Sequence, residues 1–310
     1  MNIQSEDDLK KAYKLIETCS TDKAAKILNE ALRNELGEQN LVFAIQCCGF
    51  WQKIFETLPQ LEYFEQGETL ITQWKQFTTI IERETAPLEH TVYSFKKGVF
   101  SLALDRYNRA GNEKDVEFTA EICRKKGLCY KKLGSYETAL NWLKEANATA
   151  PNQAPVLAEI ADCYALCGET RQSKALFREA FFINASKVDL DFLDSPFIKI
   201  LVEKVKEKGY SGEILKEWIP VYGAVLGAFS IKRDLHSQEV LHLRQEIYAK
   251  ESELKLPYSN TSVLTPQLLN LYLWLIDYQV LKKESISKIN EILLKIKILD
   301  ENIYSMLVRD

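Results

Sequence analysis

Glycine and proline are scarce, 12 and 8 among 310 residues, so the chain has few places to reverse direction. That scarcity favours long helices over many short strands. Charge of one sign is lacking too: the formal net charge is −4, and Lys and Arg are interleaved with Asp and Glu throughout. Phosphate neutralisation needs a clustered basic surface, so nucleic acid is not an expected partner. The N-terminal MNIQSEDDLKKAYKLIE holds acidic residues where a signal peptide would hold an apolar core, and a cytoplasmic location is expected. Seven cysteines form an odd set without the spacing of a disulfide framework and read as free thiols.

Residues that carry chemistry are equally thin. The three histidines are His90, His236 and His242, and the last two are six apart, a poor helical spacing for shared ligation. No zinc-protease, nucleophile-elbow, P-loop or dinucleotide motif occurs. Cys163 and Cys167 lie one helical turn apart, yet a tetrahedral metal site needs two more ligands, and no His stands within fifty residues. Buried thiols behave as small hydrophobes, so packing accounts for them better. Acidic groups such as Glu6 to Asp8 and Asp189 to Asp194 fall where helix starts or loops explain them. No catalytic residue, metal or cofactor is therefore assigned.

Long apolar runs are missing as well. WIPVYGAVLGAFSI, from Trp218 to Ile231, is 14 uncharged residues flanked by Lys216, Glu217, Lys232, Arg233 and Asp234. A spanning helix needs roughly 20 apolar residues, so a membrane span is not expected. Small residues at Gly223, Ala224, Gly227 and Ala228 read instead as one flank of a kinked helix running from Gly212 to about Lys232, with Pro220 at the kink. The expected partner of that flank is the apolar helix from Gln267 to Leu281. Tyr222, Gly223 and Gly227 are held as a second candidate interface.

What the chain does have is a repeat. In the segment from Ala120 to Asn152, Gly127, Tyr130, Gly134, Tyr136, Ala139, Leu143, Ala146 and Pro151 fall at spacings of 3, 4, 2, 3, 4, 3 and 5. Ala161, Tyr164, Gly168, Ser173, Phe177 and Ala180 stand 34 positions after their counterparts, while Thr170 and Ala185 depart from the pattern. Antiparallel helices approach closely only where small residues meet, so Gly127 with Ala139, and Ala161 with Ser173, mark crossing points. Gly134 and Gly168 supply the turns. This pattern resembles the tetratricopeptide repeat, whose helix pairs stack into a superhelix.

A degenerate copy fits about 5–38, with Ala12, Leu15, Ala24, Leu28 and Ala31 in place and Thr21 or Asp22 able to cap its second helix. Three longer aromatic-rich helices are expected over 40–57, 60–85 and 87–110, bounded by Pro59, Pro87 and Gly111. After 187 the pattern ends. Helices are expected from Pro196 to near Gly209, from Leu235 to Leu254, from Thr265 and Pro266 onward, and once or twice more toward the end. The reading is all-α: an antiparallel helix-pair superhelix over 1–187, its clearest repeats 120–153 and 154–187, and an all-helical domain over 188–310.

The resemblance implies recognition of a protein or peptide on a concave face made by the first helix of each pair. It places Glu121, Arg124, Leu128, Lys131 and Lys132 there in one repeat, and Pro155, Ala158, Asp162, Ala165 and Leu166 in the next. The family's carboxylate clamp for chaperone tails needs Asn where this chain has Leu128 and Glu159. Chaperone docking is therefore disfavoured. A non-catalytic adaptor or assembly factor is the expected role, and residue usage looks bacterial, which associates such proteins with envelope, secretion or motility assemblies. Two alternatives stand beside it: a peptide-sensing regulator, although the N-terminus lacks a basic recognition helix, and an enzyme with its site in the C-terminal domain.

Overall fold

The computed structural model describes residues 3–34, 38–83, 88–111 and 115–308. These form fifteen α-helices joined by turns, with no strand among the described residues. The all-α class expected from the composition is what the chain adopts. Two compact units divide at Met1–Thr149 and Ala150–Asp310, so each unit holds one of the two clear repeats.

The first unit contains α1 (Ile3–Glu17), α2 (Thr21–Asn34), α3 (Gln39–Thr57), α4 (Tyr63–Ile81), α5 (Glu89–Arg109), α6 (Val116–Lys132) and α7 (Tyr136–Thr149). The expected helices over 60–85 and 87–110 are thus shorter. A capping box between Glu62 and Glu65 starts α4 after a 3-10 turn at Leu58–Gln60, and Pro87 lies outside the described residues. Thr21 and Asp22 sit within the first turn of α2 rather than before it, since the Ser20 carbonyl already accepts from the Ala24 N–H.

Aromatic density forms the core of this unit. Trp51 is fully buried, with Phe50, Phe55, Trp74, Phe77 and Phe95 within 5.4–6.3 Å of its ring, so α3, α4 and α5 share one aromatic cluster. Glycine permits two close crossings. A Cβ on Gly127 would stand 2.6 Å from the Leu143 side chain and 3.3 Å from the Ala139 carbonyl, which places the α6–α7 crossing where the repeat put it. A Cβ on Gly98 would stand 2.5 Å from the Ile16 carbonyl, so α5 lies directly against the end of α1.

The hairpin turns also repeat. Gly134 and Gly168 both take φ +84°, and in each turn the glycine N–H and the next N–H bond back to the preceding helix. Cys19 holds the same left-handed position after α1 at φ 56°, with the Cys19 and Ser20 N–H groups bonded to Ile16 and Leu15 carbonyls. The degenerate copy therefore keeps the turn geometry without the glycine.

The second unit contains α8 (Ala154–Leu166), α9 (Thr170–Asn184), α10 (Pro196–Lys206), α11 (Gly212–Val225), α12 (Ser237–Leu254), α13 (Thr261–Leu281), α14 (Ile286–Leu299) and α15 (Glu301–Val308). α8 packs on α9, and α13 packs against α11, α12 and α14. Leu268 to Leu275 of α13 are all buried, as a central helix apolar on every face should be. It begins at Thr261, not at Thr265, and carries Pro266 inside it. That proline withholds one N–H from the Ser262 carbonyl, and Ser262 is exposed, where water can serve as the donor instead.

The largest departure concerns Trp218 to Ile231. α11 stops at Val225, seven residues before the expected end. Gly227 takes φ +70°, with open space where its Cβ would be, and its N–H bonds to the Ala224 carbonyl. It is the turn that ends the helix. Gly223 is different: a Cβ there would lie 2.3 Å from the Phe229 ring, because the chain doubles back and the Phe229 N–H bonds to the Gly223 carbonyl at 2.7 Å. The glycine pair is not a helix-packing flank. α11 does pack on α13, through larger side chains.

Gly223→Ala is expected to lower stability by about 1–3 kcal/mol through overpacking against Phe229. Adding Phe229→Ala should make the Gly223→Ala change nearly neutral. Gly227→Ala, at a positive φ, should lose about 1–2 kcal/mol whatever stands at 229. Urea denaturation of the three variants and the two doubles checks the contrast, and equal rescue of both glycine variants would refute it.

Candidate interaction sites

The residues expected on the partner-binding face do not share one environment. On α6, Leu128, Lys131 and Lys132 are buried, with Lys131 at 1% exposure. They are not displayed as a basic surface, which corrects that expectation. Counting charges along a helix could not show it, since long aliphatic stems allow lysine to pack.

Glu121 and Arg124, half-buried, are committed to one another. Arg124 donates Nε to Glu121 Oε2 at 2.7 Å and Nη2 to Oε1 at 2.6 Å, a two-point pair. Burial pushes the Glu121 carboxyl up, but Arg124 and Lys125 outweigh it and the net direction is downward. Lys125, itself buried, donates to Glu68 of α4 at 2.7 Å. Glu68 in turn accepts from the Tyr107 hydroxyl of α5 at 2.6 Å. Burial, and then the Glu68 charge, push that phenol well above its ordinary range. The Tyr107 ring fits because a Cβ at residue 67 would come within 2.6 Å of it, and Gly67 has none. The Lys125–Glu68 ion pair and the Tyr107–Glu68 hydrogen bond tie α4, α5 and α6 together.

On α8, Ala158 and Asp162 are buried and Ala165 is half-buried. Asp162 accepts from the backbone N–H of Asp194 at 2.9 Å and of Ser195 at 2.8 Å. Ser195 precedes Pro196 at the start of α10, so this carboxylate fixes where α10 begins. Asp162 is a structural acceptor, not a surface acid. Of the two cysteines weighed as ligands, Cys163 is buried and Cys167 is exposed at the end of α8.

The second candidate interface turns inward as well. Tyr222 is 7% exposed and lies 6.1 Å from the Tyr210 ring and 5.8 Å from Trp218. Gly223 is covered by Phe229, and only Gly227 faces solvent. The charged residues after the apolar run are the anchors of this segment. Arg178 of α9 donates to the carbonyls of Phe229 and Ile231 and pairs with Asp277 of α13, while Lys232 reaches Asp277 at 2.8 Å. Arg233 bridges Glu179 and Glu239, and Glu239 also accepts the His236 N–H that opens α12. Nothing in the spacing of these residues announces the cluster: Arg178 and Asp277 are 99 positions apart.

Glu217 of α11 is the buried acid without an ion pair among the described residues in this region. Burial raises its carboxyl, against a hydrogen bond from Gln267 and the charge of Lys250.

No model of a known protein family matches the chain, and no curated protein matches it. Among the described residues no helix is long and apolar enough to cross a membrane, and no group of three His, Cys, Asp or Glu could hold a metal ion. Outward-facing apolar residues do occur on two neighbouring parts of the second unit: Leu241 and Tyr248 on α12, Leu294 and Ile298 on α14.

Asp162→Ala is expected to lower stability by about 2–4 kcal/mol, because two buried N–H groups lose their acceptor; Asp162→Asn, retaining one oxygen, should fall between. Urea denaturation reads both. For Glu217 the folded carboxyl holds its proton above the ordinary value of 4.5, so the folded state binds more protons and stability falls as pH rises through that window. Glu217→Gln removes the loss. Its melting temperature should exceed the wild type's by about 2–4 °C at pH 7 and converge on it at pH 4, in thermal melts across that range.

Proposed function

We propose that this chain is a non-catalytic protein-recognition module, an adaptor or assembly factor, built on tetratricopeptide-like helix pairs. The observation that carries the reading is the recurrence of one hairpin. Two helix pairs 34 residues apart share a left-handed glycine turn at φ +84°, and the crossing residues Gly127 and Ala139 of the first have buried small counterparts in Ala161 and Ser173 of the second. Helix pairs of this kind cannot bury both faces alone, and the faces left over are what such modules use to grip a helix or an extended peptide.

The partner-facing positions supported by the packing differ from a basic stripe. Burial removes Leu128, Lys131, Lys132, Ala158 and Asp162 from consideration. On α8, Ala165 and Leu166 remain half-buried, and on α12 Tyr248 is 73% exposed. A large aromatic left in water beside Leu241 is the composition that recognition surfaces favour.

A photo-crosslinking residue placed at 165, 248 or 203 in the source cells tests this, with Glu203 of α10, 65% exposed, as the control position. The same protein partner should be captured from 165 or 248 and not from 203. Capture of no protein at either position, or equal capture at 203, would overturn the proposal.

A further inference from the structure

The turn that joins α12 to α13 holds a tyrosine in open water. α12 ends at Leu254, the Leu256 N–H bonds to the Glu253 carbonyl, and the Ser259 N–H and hydroxyl return to the Leu256 and Leu254 carbonyls at 3.2 and 3.3 Å. Pro257 fixes one backbone angle inside the turn. Tyr258 is therefore held in place, yet it is 99% exposed, and Leu256 is exposed beside it. An aromatic ring tied down in water gains nothing from the fold and is well placed for an interface.

A hollow of about 280 Å³ opens beside this turn, between the ends of α12 and α14 and over α13. Leu254 and Lys255 line it on the side of the turn, Leu268 of α13 forms its floor, and Ile298 and Leu299 close the far side. Of its polar lining, Glu251 accepts from the Tyr272 hydroxyl at 2.6 Å and from Lys295 at 3.0 Å, and Lys255 lies in water. What is left uncovered is apolar, with Ile298 77% exposed.

We propose that two copies of this chain pair through this patch, each seating Tyr258 in the other's hollow. A knob and a hole side by side on one surface are self-complementary, since a two-fold axis passing between them exchanges both at once. The hollow is smaller than the roughly 300–1,000 Å³ of small-molecule sites, and one aromatic side chain suits it better. Charge permits the pairing: α12 ends in Glu253 and Lys255 and α14 in Lys297 and Asp300, so neither sign is in surplus and two copies of the patch do not repel.

Sedimentation velocity of the full chain across a concentration series tests the proposal. The wild type should pass from monomer to dimer. Tyr258→Ala and Ile298→Glu, both at exposed positions, should each weaken pairing by about tenfold or more with an unchanged circular dichroism spectrum. A mixture of the two variants is the sharper arm: one keeps its hollow and the other its tyrosine, so one of the two contacts is restored, and the mixed dimer should form at lower concentration than either variant's own. A wild type that stays monomeric at about 100 μM, a dimer indifferent to Tyr258→Ala, or a mixture that pairs no better than its components would overturn it.

Discussion

The second unit depends on one buried cation. Arg178 is 5% exposed, and a guanidinium taken out of water must be surrounded by acceptors or the fold cannot keep it. It is surrounded on every side: Asp277 from α13, the carbonyls of Phe229 and Ile231, and the face of Trp274 at 4.5 Å. Each of these acceptors fixes an element. The two carbonyls hold the segment after α11 against α9, and that course seats Phe229 over Gly223. Asp277, held by Arg178 and Lys232 together, sets how α13 lies against both. Removing one partner of such a pair is worth about 3–5 kcal/mol, far more than any exposed ion pair offers.

Glu68 has the corresponding place in the first unit. It accepts from Tyr107 and Lys125, so one carboxylate on α4 restrains both α5 and α6. Lys125 then lies 3.6 Å from Glu121, which Arg124 already grips. Of the cations that the repeat pattern would place on an open face, Arg124 is tied to Glu121 of the same helix, while Lys131 and Lys132 are buried. Lys125, Lys131 and Lys132 are all buried, so they do not offer a basic docking surface on α6.

How much of this was legible in the sequence follows from the range of the interaction involved. Hairpins were legible because small residues at a crossing and a glycine in a left-handed turn are local demands, repeated at a fixed interval: Gly127, Ala139 and Gly134 do what their spacing implied. The apolar α13 was legible from composition alone, though its start was not, because an internal Pro266 is tolerated where the affected carbonyl meets water. The site residues were read far less well. Asp162 is chosen by two N–H groups 32 and 33 positions away, and Arg178 by an aspartate 99 positions away. No periodicity encodes such partners. A charge on a helix face looks the same in sequence whether it awaits a ligand or has already been matched across the core.

That ambiguity also decides what the two glycines at 223 and 227 mean. A spacing of four puts both on one side of a helix only if the helix continues, and here the second glycine is the reason it stops. The first then makes room for a ring from the returning chain, not for another helix. Small residues therefore report close approach without naming what approaches. The charged cluster that follows resolves the matter: Lys232, Arg233 and Asp234 reach Asp277, Glu179 and Lys282 respectively, so the returning segment is pinned at three successive residues. Two of these pairs reach acids that are largely covered, Asp277 and Glu179, while the Asp234–Lys282 pair is exposed. Leu241 and Tyr248 on α12 lie outside these anchors and are exposed.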